Sequence, residues 1–516
     1  MLNAESAYLF HHALMQEAAY QLQLPGRRAR LHALALEAIE SLWGGRPSED
    51  PDFRPHPTDP FALEMAEHAR LAAGRRADSL AAMRLYLRRG ALHAESRFRS
   101  EIAMEAWDCL ARCTVGGGAR SEATARAGRA AHLGGRRDRA EPLLQRAVAL
   151  ARRAGSPRSL GIALRSLALF YKDTGRVGPA GRLLRRTLAL HRGTRDRELE
   201  GMALGNLAVL YAHTGRMKQA ESANLRALTI HRAGNRKRLE GLTMGNLANL
   251  YRDVGRPREA ARAYALALAL LRAAGDRRAE GIAVANLATL HDRTGRSRLA
   301  ARGYARALAL HRSVGDRRNE AIALGNIGTL HHDAGRFAAA EAAYGRALAV
   351  LREEGAPRSQ GIVLGNLANL YRDTGRLREA ELAYRQALAL HRDAGNVASE
   401  AAETGNLAGL YRIEGRLREA EAAYRKALAL HRRTGDPAFL GAHLCEAALV
   451  QLALGRTARA QAWWHEGAEF LRQSGDPAEL GRQRREMRAT CSRAGVPPFD
   501  STPASRGSAG TVHSGS

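Results

Sequence analysis

Polar side chains able to hold another molecule return in this sequence every 40 residues. The most regular are the asparagines Asn206, Asn246, Asn286, Asn326, Asn366 and Asn406, joined three residues further on by Asn249 and Asn369. A primary amide donates and accepts at once, so a row of them can hold the N–H and C=O groups of an extended polypeptide. The alternative is local bonding that keeps neighbouring helices in register. Asparagine is a poor helix former, costing about 0.5 kcal/mol against alanine at each site, and six such costs argue for binding. The same stripe carries Asp253, Asp333 and Asp373, with Thr289, Thr329 and Arg293, and beside it stand Arg252, His332, Arg372 and Arg412. These acids would repel phosphates, and the arginines could pair with them or reach a ligand.

Other chemistries find less support. His191, His231, His311, His391 and His431 lie a full repeat apart, and leucine replaces them at Leu271 and Leu351, which reads as amphipathic surface and not as a metal site. No Gly-x-x-x-x-Gly-Lys-Ser/Thr loop, nucleophile elbow or informative carboxylate pair is present, so we expect no enzyme, no cofactor, no metal and no small-molecule substrate. Cys109, Cys113, Cys445 and Cys491 have neither a disulfide framework nor zinc spacing. With no signal-type start and no long apolar run, the expectation is a cytoplasmic protein without membrane contact.

The repeat dictates what positions the asparagines. Gly365-Asn366-Leu367-Ala368-Asn369-Leu370-Tyr371 returns with little change at Gly205, Gly245, Ala285, Gly325 and Gly405. A fixed period of this size marks a solenoid, whose units bury their apolar faces only against neighbours. Leu204, Leu207 and Tyr211 share one helix face, whereas Asn206 falls on another stripe. Gly215-Arg216 ends that helix, and a second follows with Ala220 and Ala227 around a middle site that is Tyr264, Tyr304, Tyr344, Tyr384 or Tyr424 in later units. Asp276, Asp316, Asn396 and Asp436 stand where they can cap the next first helix. Leu, small residue and Tyr, then Ala, aromatic and Ala, resembles the tetratricopeptide repeat, lengthened from 34 to 40 residues as in kinesin light chains and Pins-type adaptors. The resemblance implies an all-α, right-handed α-solenoid of helical hairpins whose concave asparagines bind peptide. Departures are Ser166 for asparagine, Asn224 for the aromatic, and His291 and His331 for the first-helix tyrosine.

The formal charge of +28 raises nucleic acid as a partner. The charge is nearly all arginine, and much of it is periodic: one ladder follows the helix-ending glycine, as at Arg176 and Arg376, and another ends the second helix, as at Arg312 and Arg392. A cation in a last helical turn favours the helix by ~0.3–1 kcal/mol. The arginines therefore read as scaffold, and nucleic acid is disfavoured.

The sequence divides into a helical head (1–43), a proline-rich linker (44–59), degenerate helical repeats (60–120), an array of about nine units (121–475), a polar capping helix (476–494) and a disordered tail (495–516). In the head, Phe10-x-His12-Ala13-Leu14-x-x-Glu17-Ala18-Ala19-Tyr20 and Leu24-Pro25-x-Arg27-Arg28 resemble the segment closing the nucleotide-binding module of bacterial signal-transduction ATPases. That implies the rear part of such a regulator, with an ATPase or kinase signalling partner. A plain helical cap is the alternative. The expected function is a non-catalytic scaffold that holds a peptide or protein segment in its groove. A regulatory, sensing half of a signal-transduction ATPase is the second reading, and nucleic-acid binding through convex arginines the third.

Overall fold

The computed structural model describes residues 20–49, 55–72, 77–434, 437–474 and 477–500. The head pattern before Tyr20, the cap position Asp436 and tail residues 501–516 lie outside these. Among the described residues the regular elements are all helical. In order they are α1 (Pro25–Leu42), α2 (Ala62–Ala72), α3 (Ala77–Ser96), α4 (Ser100–Cys113), α5 (Gly117–Leu133), α6 (Arg137–Arg153), α7 (Pro157–Asp173), α8 (Val177–Gly193), α9 (Arg197–His213), α10 (Met217–Ala233), α11 (Lys237–Asp253), α12 (Pro257–Ala273), α13 (Arg277–Arg293), α14 (Ser297–Ser313), α15 (Arg317–Asp333), α16 (Phe337–Glu353), α17 (Pro357–Asp373), α18 (Leu377–Asp393), α19 (Val397–Ile413), α20 (Leu417–Thr434), α21 (Pro437–Ala453), α22 (Thr457–Ser474) and α23 (Pro477–Arg493). They form tandem hairpins of a solenoid, and packing divides them into two units, residues 1–324 with 350–356 and residues 325–349 with 357–516. No helix among the described residues is long and apolar enough to cross a membrane.

Glycine sets each hairpin turn. Gly175 and Gly375 have φ of 78° and 76°, and the following Arg176 and Arg376 N–H groups close the helix end on Tyr171 and Tyr371 O at 2.8 Å. The next helix is capped where aspartate stands: Asp196, Asp276 and Asp316 accept from the N–H of Leu199, Ala279 and Asn319. Asn396 differs, since its amide donates to Ser399 Oγ at 2.7 Å and caps no backbone N–H. Fully buried alanines, such as Ala220, Ala260, Ala380 and Ala420, let paired helices approach closely, and Tyr264, Tyr344, Tyr384 and Tyr424 fill the space between.

The histidine row corrects the sequence reading. His191, His231, His311, His391 and His431 are buried to 2% exposure or less and are no surface feature. The reason sits on the partner helix: a Cβ built on Gly161, Gly201, Gly281 or Gly361 would meet the imidazole at 2.4–2.7 Å, so absent side chains make room for the rings. Gly241 faces Leu271 in the same way.

Members of both arginine ladders are tied to carboxylates. Arg176, Arg256, Arg376 and Arg416 pair at 2.8–3.1 Å with Glu141, Glu221, Glu341 and Glu381, each 35 residues upstream, while lying 4.1–4.3 Å over Tyr171, Tyr251, Tyr371 and Tyr411. Arg192, Arg232, Arg272, Arg312 and Arg392 pair with a glutamate eight residues on, in the next hairpin's first turn. His291 and His331 stand where the glutamate is missing, at Ala261 and Ala301.

Two end segments are better packed than expected. At the close of the supposed linker, Thr58 and Asp59 are buried, and Arg89 donates to Asp59 at 2.6 Å. At the other end, Phe499 is 4% exposed against Met487, and Arg488 pairs with Asp500 at 2.8 Å, so residues 496–500 are not loose.

Candidate binding groove

The ladder asparagines lie on the first helix of successive hairpins. In the first unit these are Asn206 on α9, Asn246 on α11 and Asn286 on α13, and in the second Asn326, Asn366 and Asn406 on α15, α17 and α19. All six are half-buried. Asn406 donates to Glu403 at 3.2 Å. The side-chain amides of the other five make no hydrogen bond to any described residue. Local bonding, the alternative weighed from sequence, is thus absent at five of the six.

The second polar position behaves differently. The tyrosine hydroxyl of the facing helix donates to Asn249 at 2.5 Å from Tyr264 and to Asn369 at 2.6 Å from Tyr384. Tyr304 with Thr289 and Tyr344 with Thr329 repeat the bond at 3.0 and 3.1 Å. Burial pushes the Tyr264 phenol up to about 12, so it stays a donor. These residues join the two helices of a hairpin, and their amides or hydroxyls are partly occupied. At Val209 nothing could accept such a bond, and the facing residue is Asn224, buried with its Oδ1 unpaired.

The charged residues are mostly neutralised in place. Arg252 pairs with Asp253 and Arg372 with Asp373, both at 2.9 Å, and His332 reaches Asp373 at 3.1 Å. Arg412 is held by Glu486 of α23 at 2.7 Å, so the capping helix closes on the stripe. Asp333 has no ion-pair partner among the described residues.

Two cavities open on the stripe. One of about 600 Å³ in the second unit is lined by Asp333, Asn366, Asn369, Arg372, Asp373, Asn406 and Arg412. One of about 400 Å³ in the first unit is lined by Asn246, Asn249, Arg252 and Asp253. Asn206, Asn286 and Asn326 line neither.

Sequence reasoning missed two features. Glu403 is buried beside Asn406 and Gly365, and burial pushes its carboxyl up to about 7 against the pull of Asn406 and Arg372. A row of apolar residues, Leu242, Ile282, Ile322 and Ile362, stands 37–46% exposed one helical turn before each of Asn246, Asn286, Asn326 and Asn366. The spacing of four was readable and places each apolar residue beside its amide.

The helical hairpins accord with the comparisons. A family model for the tetratricopeptide repeat matches residues 198–273, 278–353 and 319–393, and a second such model matches 404–434. The repeats over these residues are tetratricopeptide repeats. A search of curated proteins found no match. Among solved structures, a Rap protein complexed with Competence and Sporulation Factor is 13% identical, with a TM-score of 0.51 over 70% of this chain and 99% of that one, which shows the same fold. A Signal Transduction ATPase with Numerous Domains protein with a tetratricopeptide repeat sensor, from Pyrococcus horikoshii, is 13% identical with a TM-score of 0.45, over 82% of this chain and 74% of that one. Tetratricopeptide repeats in this arrangement support a protein-interaction scaffold.

Proposed function

We propose that the protein is a non-catalytic scaffold that holds an extended peptide or protein segment along the first helices, by the amides of Asn206, Asn246, Asn286, Asn326, Asn366 and Asn406. One observation carries this reading: five of these amides have no partner among the described residues, while the polar positions three residues on are engaged by tyrosines. A half-buried amide with free donor and acceptor offers a polypeptide backbone both bonds it needs. Asn249, Asn369, Asp253, Asp333, Asp373, Arg252, Arg372 and Arg412 shape the walls and keep them close to neutral. The Rap protein with the same fold is complexed with a factor, and holding a factor is the behaviour proposed for this chain.

A photo-crosslinking amino acid placed at Val209 and at Gly409, beside the stripe, should trap the same partner from cell extract, and one placed at Arg312 or Arg392 should not. Trapping only at the arginine positions would overturn the proposal. The second reading, a regulatory half of a signal-transduction ATPase with an ATPase or kinase partner, draws support from the head pattern, of which Tyr20 to Arg28 are described. Co-purification of an ATPase that is lost on deleting residues 1–43 would favour it.

A further inference from the structure

The asparagine position changes character at the start of the first unit. Stepping back by 40 from Asn206 gives Ser166 and then Arg126, and stepping back from Val209 gives Leu169 and then Arg129. Arg126 and Arg129 on α5 are exposed at the two positions that later hairpins fill with amides. Between them and Asn206 stands Arg165 on α7, whose one side-chain hydrogen bond among the described residues is to the sulfur of Met202 at 3.4 Å. Thioether sulfur is a weak acceptor and carries no compensating charge. Arg129 has no ion-pair partner among the described residues. Arg126 approaches Glu95 only to 3.5 Å and lies 4.8 Å over Trp107. Arg84 and Arg88 line a cavity of about 330 Å³ with Arg126. Of the acids nearby, Glu122 accepts from Ser159 at 3.0 Å, Asp173 is bound by His132 at 3.0 Å and Lys172 at 3.1 Å, and Glu49 lines the same cavity as Arg84, Arg88 and Arg126. Burial and the charges of Arg129 and Arg126 lower the Arg165 pKa to about 10, the signature of a cation kept without its counter-ion.

Arg129 and Arg165 thereby differ from the ladder arginines that glutamates hold, such as Arg176, Arg256, Arg312 and Arg392. We infer that Arg126, Arg129 and Arg165 form an anion-reading end of the first unit's groove, which takes the carboxylates of an acidic stretch in the bound polypeptide while Asn206, Asn246 and Asn286 hold its neutral continuation. This rests on the groove reading above and gives the ligand a direction, acidic end toward α5 and α7. A guanidinium binds a carboxylate through two parallel N–H bonds, and three of them on two packed helices suit clustered glutamates or aspartates. A nucleic-acid strand fits less well: Trp107 is covered by Arg126 and offers no face for a base, and beyond the arginines the stripe turns to amides and acids.

Full-length protein is titrated against two fluorescein-labelled peptides, hexaglutamate and a decapeptide of four glutamates followed by six alternating alanines and glycines, with anisotropy as the readout. Hexaglutamate should bind, weaken with added salt, and weaken by about tenfold or more in the double variant Arg126→Gln, Arg129→Gln, which touches only exposed side chains. Arg165→Gln should do the same and Arg165→Lys should recover part of the loss, with thermal melts checking that each variant folds. Absence of saturable binding, or binding indifferent to these arginines, overturns the inference. So does equal binding of a thymidine hexanucleotide with the same arginine dependence, which would make the patch a phosphate site. If hexaglutamate shows the arginine dependence but the decapeptide binds no tighter and ignores Asn246→Ala, the anion end stands and the amide groove fails.

Discussion

At the scale of single residues, the pairing of glycine with histidine shows how much a missing side chain can decide. Alanine at 201 would place a Cβ 2.5 Å from the His231 ring, and we expect Gly201→Ala to cost about 1–3 kcal/mol through overpacking, read as a lower melting temperature. Position 401 is already alanine opposite His431, but that ring escapes to bond His443 at 3.0 Å and stack on Phe439, an exit His231 lacks. A melt unchanged by Gly201→Ala would contradict the packing described. Burial also holds the His391 imidazole at about 4 and the His431 imidazole, beside His443, at about 3. Their folded pKa values lie below the unfolded one, so they bind fewer protons when folded, and stability should rise from about pH 3 to about 6.5 and then level. Glu403, pushed up to about 7, acts in the opposite sense: the folded state keeps its proton between about 4.5 and 7, and stability is lost across that window. Glu403→Gln should melt like the parent near pH 5 and higher than the parent at pH 8. Sequence alone made the asparagine row visible because identity and period suffice to see it. It hid the depth of the histidines because the cause, a glycine 30 residues upstream, lies on the other helix of the hairpin.

Among elements, hairpin order and helix ends followed directly from the 40-residue period and from glycine, since both are local signals. The arginine rows were readable as scaffold, but their partners were not: a glutamate 35 residues before or eight after becomes meaningful only when helices are side by side. The ends were harder still. Prolines and polar residues in 44–59 masked the buried Arg89–Asp59 pair, and a composition of Pro, Ser and Gly after Gly495 masked Phe499. Phe499 packs in one cluster with Trp464, Leu480, Met487 and Cys491, so it ties the segment after α23 to α22 and α23. Phe499→Ala should destabilise this cluster by about 3 kcal/mol and raise amide exchange in α23 before the rest of the array. Uniform exchange across all hairpins in that variant would show that the capping segment is not an independent low-stability element.

For the molecule as a whole, a charge of +28 would by itself favour a phosphate-bearing partner. The ion pairs change that balance, because the periodic arginines hold hairpins together wherever a glutamate meets them. The surface proposed for a ligand is the first-helix stripe, where five of the six ladder amides have no side-chain partner among the described residues and apolar residues stand beside them. The most direct test takes the partner segment trapped beside the stripe and measures its affinity calorimetrically for three proteins: the parent, the pair Asn246→Ala with Asn366→Ala, and the pair Arg312→Ala with Arg392→Ala. Each lost hydrogen bond should weaken binding by about 1 kcal/mol, or more where a backbone group is left buried and unpaired. The asparagine pair should therefore bind roughly tenfold to a thousandfold more weakly, with helicity unchanged or slightly higher, while the arginine pair binds like the parent. Loss of binding in the arginine pair with full affinity in the asparagine pair would contradict the account.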